Sequence, residues 1–220
     1  MECRCKVLPA DRQQSRLEET ANSLSHGIGC VLALVLLPTS VQTVIARDGV
    51  SPHTIALEVF VAATLLLYLC SALCHGLPAG TGKRFFERLD NAAIYLFIAA
   101  SCSPFATAAP DGAWHWTMLA LVWALALLGV AVVVRRLVTH PLWSTSLYVG
   151  LGWFALLAAM PWIERAPAKG TALLVAGCLV YTFGAGLFLL SARVRFAHLA
   201  WHISVMTGGG LHVAAMLLPA

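Results

Sequence analysis

The sequence predicts an all-α integral membrane protein: a seven-transmembrane helix bundle with its amino terminus in the cytoplasm and its carboxyl terminus outside. Of its 220 residues, 60% are hydrophobic and only 11% are charged, whereas soluble domains are about 45–50% apolar and about 25% charged. The mean hydropathy is +0.81. Because a domain of this size still exposes roughly 30% of its unfolded surface, a soluble core cannot bury the apolar excess. These values exclude nucleic-acid binding and a soluble enzyme.

The charged residues are grouped between long apolar runs. Of the 24 Asp, Glu, Lys and Arg residues, 23 lie outside the runs and only Glu58 lies within one. About 20 helical residues cross a hydrocarbon core of about 30 Å, so each run is predicted to be one span. The spans are about 22–46, 54–76, 91–109, 114–134, 142–162, 170–190 and 198–218. The polar segment 1–21 precedes this transmembrane domain, which occupies residues 22–220.

The basic residues determine the predicted orientation. Eleven lysines and arginines lie in the amino-terminal segment and in the loops on its side, against three on the opposite side. Short basic loops stay in the cytoplasm, so the amino terminus is placed there. On this side the connection 77–90 is amphipathic, with Phe85 and Phe86 among basic residues. It is predicted to form a short helix at the inner membrane surface.

Ionisable residues inside a span are costly, which makes each of them a functional candidate. Counted at helical rise, five polar residues share one depth near the cytoplasmic face: Ser71 and His75 at the end of span 2, Asp90 just before span 3, and His198 and His202 at the start of span 7. Each i,i+4 pair occupies one face of its helix. Two histidines four residues apart, with a third from a neighbouring helix, match the ligand set of a catalytic zinc ion.

In this zinc hypothesis Asp90 is a hydrogen-bond acceptor or base beside the metal-bound water, and Ser71 is a hydrogen-bonding partner. Each residue also has a purely structural interpretation. An Asp directly before a helix is commonly an N-cap, and a Ser in a membrane helix commonly serves packing. A single interfacial His can be an ordinary hydrogen-bonded residue, and an HxxxH pair can arise by chance.

Other polar residues give weaker signals. His26 lies in the first turn of span 1, close in depth to the five residues. Glu58 lies roughly 25 Å above His75, and His212 about 15 Å above His202. Five of the seven cysteines fall within spans, where they are expected to be apolar fillers rather than disulfide partners.

A family resemblance is carried by three segments: EETANSLSHGIG at 18–29, SALCHGLPAGTGKRFFERLDNAAIYLFIAASCSPFA at 71–106 and HLAWHISVMTGGGLH at 198–212. They resemble the hemolysin III family, the bacterial branch of the progestin and adipoQ receptor superfamily, and the resemblance covers essentially all seven spans. It implies a zinc ion near the inner face bound by His75, His198 and His202. Asp90 and Ser71 would surround the zinc-bound water. The acidic pair Glu18 and Glu19 matches the family without an assigned role.

The alkaline ceramidases are similar in this constellation, so the resemblance implies a zinc-dependent hydrolase of membrane lipid amides. A bacterial member would reside in the inner (plasma) membrane as a multi-pass protein, with membrane lipid as its partner. Two alternatives remain open at this point. The family name suggests a cytolytic channel or pore, and the receptor branch suggests a sensor in which zinc is structural.

Overall fold

The computed structural model describes residues 12–108 and 112–218. Within these residues the chain forms helices and no strand. The helices are α1 (Arg16–Asp48), α2 (Pro52–Gly76), α3 (Thr81–Thr107), α4 (Ala113–Val134), α5 (Pro141–Ala155), α6 (Met160–Ile163), α7 (Ala168–Leu190) and α8 (Ala197–Met216). A 3-10 turn at Leu156–Ala159 joins α5 to α6. These two helices form one interrupted rod, so the described residues contain seven rods.

Six of these seven rods are long and apolar enough to cross a membrane, and α8 is the exception in the described part of the chain. Helix α8 has 20 residues, which suffices in length. Three of them are histidines and three are consecutive glycines, so the hydropathy of α8 is low. The protein is a multi-pass helical membrane protein.

Five predicted spans agree with the observed helices to within about two residues, and two begin earlier than predicted. Helix α1 begins at Arg16 because Ser15 and Glu18 form a capping box. The prediction of a separate surface helix in 77–90 is wrong, because α3 is continuous from Thr81. The first three turns of α3 carry charged side chains, so the apolar run begins later than the helix does.

The early start of α3 also corrects the N-cap interpretation of Asp90. Gly80 occupies the N-cap position of α3 and makes no side-chain cap. Asp90 is therefore inside the helix, more than two turns from its start. A carboxylate there does not satisfy the free N–H groups of the first turn, so capping does not explain its presence.

The rods form a ring in which each packs against the next along the chain, and α8 closes the ring against α1. Helix α3 also contacts α5 and α8, and it is the most deeply buried of the six candidate spans. The Arg47 guanidinium at the end of α1 donates to the Leu217 carbonyl, while Arg12 donates its N–H to the Ala192 carbonyl before α8. Helices α1 and α8 therefore run in the same direction.

The interruption between α5 and α6 is caused by Pro161. A proline has no N–H for the carbonyl four residues earlier, and its ring crowds that carbonyl. The carbonyl concerned belongs to Leu157, and it accepts a hydrogen bond from the Trp114 indole N–H at 3.4 Å. The same carbonyl accepts the Met160 N–H within the 3-10 turn, so it has two partners despite the proline.

Close approach of α3 and α4 depends on Gly129. A Cβ atom at this position would overlap the ring of Tyr95, which is buried and packed against Tyr148 at 4.6 Å between ring centroids. We expect Gly129→Ala to lower the free energy of unfolding by about 1–3 kcal/mol, measured as a lower thermal midpoint of the purified protein. Gly150→Ala is the matched control, because a Cβ at Gly150 meets nothing within 4 Å. Equal midpoints for the two variants would contradict this packing.

Candidate metal centre

Three histidines meet at one end of the bundle. His75 comes from the last turn of α2, and His198 and His202 come from the first two turns of α8. One ring nitrogen from each can be chosen so that all three atoms lie within 4.8 Å of one another. The Nε2 atoms of His75 and His198 are 3.1 Å apart. The three histidines that the sequence predicts at one depth therefore also lie next to one another in the fold.

Neighbouring groups determine which nitrogen of two of these rings carries the proton. His75 Nδ1 lies 2.8 Å from a carboxylate oxygen of Glu19, and His202 Nδ1 lies 3.2 Å from the backbone carbonyl of Asn22. Carboxylates and carbonyls only accept hydrogen bonds, so Nδ1 is the donor in both rings. The lone pair of each neutral ring is therefore on Nε2, which is left for a metal ion.

Helix α1 supplies most of these orienting groups. Glu19 also accepts a hydrogen bond from the Lys83 ammonium at 3.0 Å, so this carboxylate connects α1, α2 and the start of α3. The Ser25 hydroxyl lies 2.9 Å from His202 Nδ1 and donates to the Asn22 carbonyl. The Nδ1 atom of His198 is buried and has no hydrogen-bond partner among the described residues.

Asp90 and Ser71 line the same cavity as His198 and His202. The Ser71 hydroxyl is 1% exposed and has no hydrogen-bond partner among the described residues, and Asp90 lines the same cavity. The cavity has a volume of about 110 Å³ and extends from the histidines between α3, α5 and α7. Apart from its polar end its walls are mostly apolar. This arrangement places a carboxylate, a hydroxyl and the imidazoles of His198 and His202 around one space with an apolar extension, while His75 lies behind these two rings and does not line the cavity.

A second carboxylate, Glu18, fixes the start of α8. It is 2% exposed and accepts hydrogen bonds from the Arg12 guanidinium, from Ser15 and from the backbone N–H of Phe196 at 3.0 Å. Phe196 has a left-handed backbone with φ of 61°, a conformation that a non-glycine residue adopts at a cost. The hydrogen bonds to Glu18 raise the pKa of Arg12 above its ordinary value. Glu18 thereby positions the turn two residues before His198.

Three further residues noted in the sequence have distinct locations. His26 is buried, stacks on His202 and lines the cavity. His212 lines the far end of the cavity, where its Nε2 lies 3.9 Å from the Cys178 sulfur. Glu58 is exposed and does not line the cavity. The five cysteines Cys30, Cys70, Cys74, Cys102 and Cys178 lie within helices as free thiols.

Comparison with known proteins identifies the family of this chain. The model of the family described as "Haemolysin-III related" matches residues 14–213, which include every residue of the histidine cluster. The chain belongs to the haemolysin-III related family. This haemolysin-III-related chain is 34% identical over 199 residues to Hemolysin-3 of Bacillus cereus, with 88% of each chain covered. It is 33% identical over 193 residues to the Hemolysin-3 homolog of Bacillus subtilis (strain 168), covering 87% of this chain and 89% of the relative.

A weaker similarity extends to the human progestin and adipoQ receptor family protein called monocyte to macrophage differentiation factor. It is 26% identical over 136 residues, covering 62% of this chain and 56% of that relative. The resemblance inferred from three sequence segments is therefore confirmed at the level of the family.

Sequence reasoning about this haemolysin-III-related protein missed the contribution of α1. Glu18, Asn22 and His26 are spaced four residues apart, which predicts one polar stripe on a helix. That stripe faces α8 in the structure. A polar stripe on an otherwise apolar span was the available signal, since such a face avoids lipid.

The Glu18 hydrogen bonds yield a prediction about stability. Glu18→Gln keeps the shape of the side chain but loses the charge that pairs with Arg12 and strengthens each accepted hydrogen bond. We expect the thermal midpoint to fall by several degrees and protease cleavage near residues 192–196 to become faster. The control is Glu87→Gln, because Glu87 is an exposed carboxylate on α3. A loss of the same size in both variants would refute a specific role for Glu18.

Proposed function

We propose that this protein is a zinc-dependent hydrolase of membrane lipid amides, with its site near the cytoplasmic face of the bacterial inner membrane. The observation that carries the proposal is the convergence of three histidine nitrogens within 4.8 Å of one another, beside the Asp90 carboxyl and the Ser71 hydroxyl. The apolar extension of the cavity supports a substrate with a hydrocarbon chain, and the membrane location supports lipid as its source.

The donor set fits zinc. Three neutral imidazoles with an open fourth position are a common ligand set for catalytic zinc, and two of the three rings have Nδ1 held by an acceptor. Such acceptors fix the orientation of a metal-binding histidine and raise its basicity. His75, His198 and His202 would hold the ion.

When bound, zinc supplies a water of lowered pKa and a Lewis acid for the carbonyl oxygen. The Asp90 carboxylate accepts a proton from the water that attacks the amide carbon. It then returns this proton to the departing amine, so that one water and one amide yield a carboxylic acid and an amine. The Ser71 hydroxyl is buried in the same cavity without a partner among the described residues, so it would be free to donate a hydrogen bond to the Asp90 carboxylate when substrate is bound. The apolar walls hold the acyl chain and exclude bulk water.

The proposal includes seven spans, with α8 as the seventh, and an amino terminus in the cytoplasm. The parallel course of α1 and α8 supports an odd number of crossings, and the eleven-to-three distribution of basic residues supports the orientation. We expect reporter fusions at the two ends of the chain to lie on opposite sides of the membrane. Two ends on the same side would overturn the topology and the shared inner depth of the cluster.

The metal prediction concerns zinc content. Purified wild type should contain about one zinc ion per chain. His202→Ala should lose most of it, because two imidazoles bind zinc poorly. Elemental analysis after dialysis against a weak chelator measures the difference.

The matched control for this prediction is His212→Gln, which alters another buried histidine on α8. This variant should keep its zinc. Unchanged zinc in His202→Ala, or equal loss in both variants, would exclude the proposed ligands.

A further prediction separates the hydrolase from the pore suggested by the relatives' name. Asp90→Asn keeps the shape of the side chain but cannot accept the proton. We expect turnover of ceramide-type amide lipids to fall by roughly 10²- to 10⁴-fold, with zinc content unchanged. Proteoliposomes allow turnover and dye leakage to be measured on the same preparation.

The alternative predicts a different pattern in this experiment. A pore would depend on a continuous water path, so leakage should persist in Asp90→Asn. Wild-type leakage without turnover of any amide lipid would favour the pore and would leave zinc a structural role, as in a sensor. Glu58→Gln is the control, because Glu58 is an exposed carboxylate away from the cavity.

A further inference from the structure

We infer that His26 is the residue that hydrogen-bonds the polar group of the lipid in the cavity, and so orients the substrate beside the metal centre. The inference rests on the proposed function for the identity of the substrate, and it assigns a role to a residue outside the proposed metal ligands. The ligand class is an amphiphile whose hydroxyl, amide or carbonyl group sits next to its scissile bond.

The first argument is the isolation of the His26 ring nitrogens. The residue is 3% exposed, and neither Nδ1 nor Nε2 has a hydrogen-bond partner among the described residues. A neutral imidazole has one donor and one acceptor, and leaving both unsatisfied in a buried site is costly. A histidine that served only to fill space would be replaceable by an apolar ring at no such cost.

The second argument is that the ring is held in a fixed orientation without hydrogen bonds. Its plane stacks on His202 at 3.8 Å between ring centroids with 7° between planes. It also stacks on Tyr68 at 4.8 Å with 24° between planes. Stacking engages the faces of a ring and does not use the hydrogen-bonding capacity of its edge, where both buried nitrogens lie. A pre-oriented group loses little conformational entropy when it binds a ligand.

The third argument is location. His26 lines the cavity together with Ser71, Asp90, His198 and His202. It does not belong to the set of three whose ligand atoms can share one ion. The geometry therefore places an unpaired donor and acceptor next to the metal centre but outside it. A polar substrate group held there would lie close to the attacking water.

The test compares three substitutions at His26. His26→Phe keeps the aromatic stack and removes both nitrogens. His26→Asn restores a polar atom near the position of Nδ1, and His26→Gln restores one near Nε2. The probe is a long-chain N-acyl sphingoid amide with a dansyl group on its acyl chain. Its binding is measured by energy transfer from the tryptophans, of which Trp153 and Trp201 line the cavity, in detergent micelles and with the metal removed by a chelator.

We expect His26→Phe to bind this probe at least about tenfold more weakly than wild type, with a thermal midpoint equal to or above that of wild type, because the apolar ring leaves no buried nitrogen unpaired. Reloaded with zinc, it should hold the same amount of metal and show a raised KM. Either His26→Asn or His26→Gln should recover part of the affinity, and the one that does identifies the nitrogen involved. The control is His115→Phe, because His115 is buried on α4 and does not line the cavity.

Equal probe affinity in wild type and His26→Phe would overturn the inference and reduce His26 to a packing residue. An absence of binding to wild type would overturn the ligand class. Probe binding that depends on His26 without any turnover of the amide would instead defeat the hydrolase and preserve the assignment of His26. The binding measurement therefore tests the role of His26, and the turnover measurement separately tests the proposed hydrolase activity.

Discussion

A carboxylate or imidazole inside a membrane-spanning bundle has to find its partner within the protein, because hydrocarbon offers none. In this protein that constraint joins α1, α2, α3 and α8 at one end. Glu19 contacts His75 and Lys83, and the backbone of α1 contacts His202. Each of these pairs crosses between helices that are otherwise joined by apolar packing. The same hydrogen bonds that hold the helices together therefore orient the imidazoles.

The sequence predicted the features that depend only on the position of a residue along its helix. Rise per residue, counted along the predicted seven-span topology, placed His75, His198 and His202 at one depth, and the structure brings them together. Rotation about the helix axis was harder to predict, because an apolar span gives few constraints on which face is inward. For that reason the roles of Glu18 and Glu19 were not predicted. The start of α3 was placed too late because its first ten residues include several charged side chains, and the apolar run begins only after them.

In helix α8 the residues that serve the site also lower the hydropathy that favours insertion into a membrane. Its histidines provide two of the candidate ligands and a residue of the far cavity wall, and its glycines permit close packing. Gly208 leaves room for the ring of Tyr181, and a Cβ there would overlap it. These residues leave α8 without an apolar stretch as long and as hydrophobic as those of the other six rods of the described bundle. Its neighbours α1 and α7 are apolar helices, and packing against them shields its polar groups from lipid.

The hydrogen bond from His202 to Asn22 joins residues 180 positions apart, and this separation has a consequence for biosynthesis. A ribosome adds roughly 5–20 residues per second, so α1 is complete many seconds before α8 is made. During that interval the polar stripe of α1 has no partner from α8 and must be tolerated by the insertion machinery or by α2. The cluster cannot bind metal through all three histidines until the last helix is inserted. Translation thus delays assembly of the centre until the chain is nearly finished, and a truncated chain lacks it.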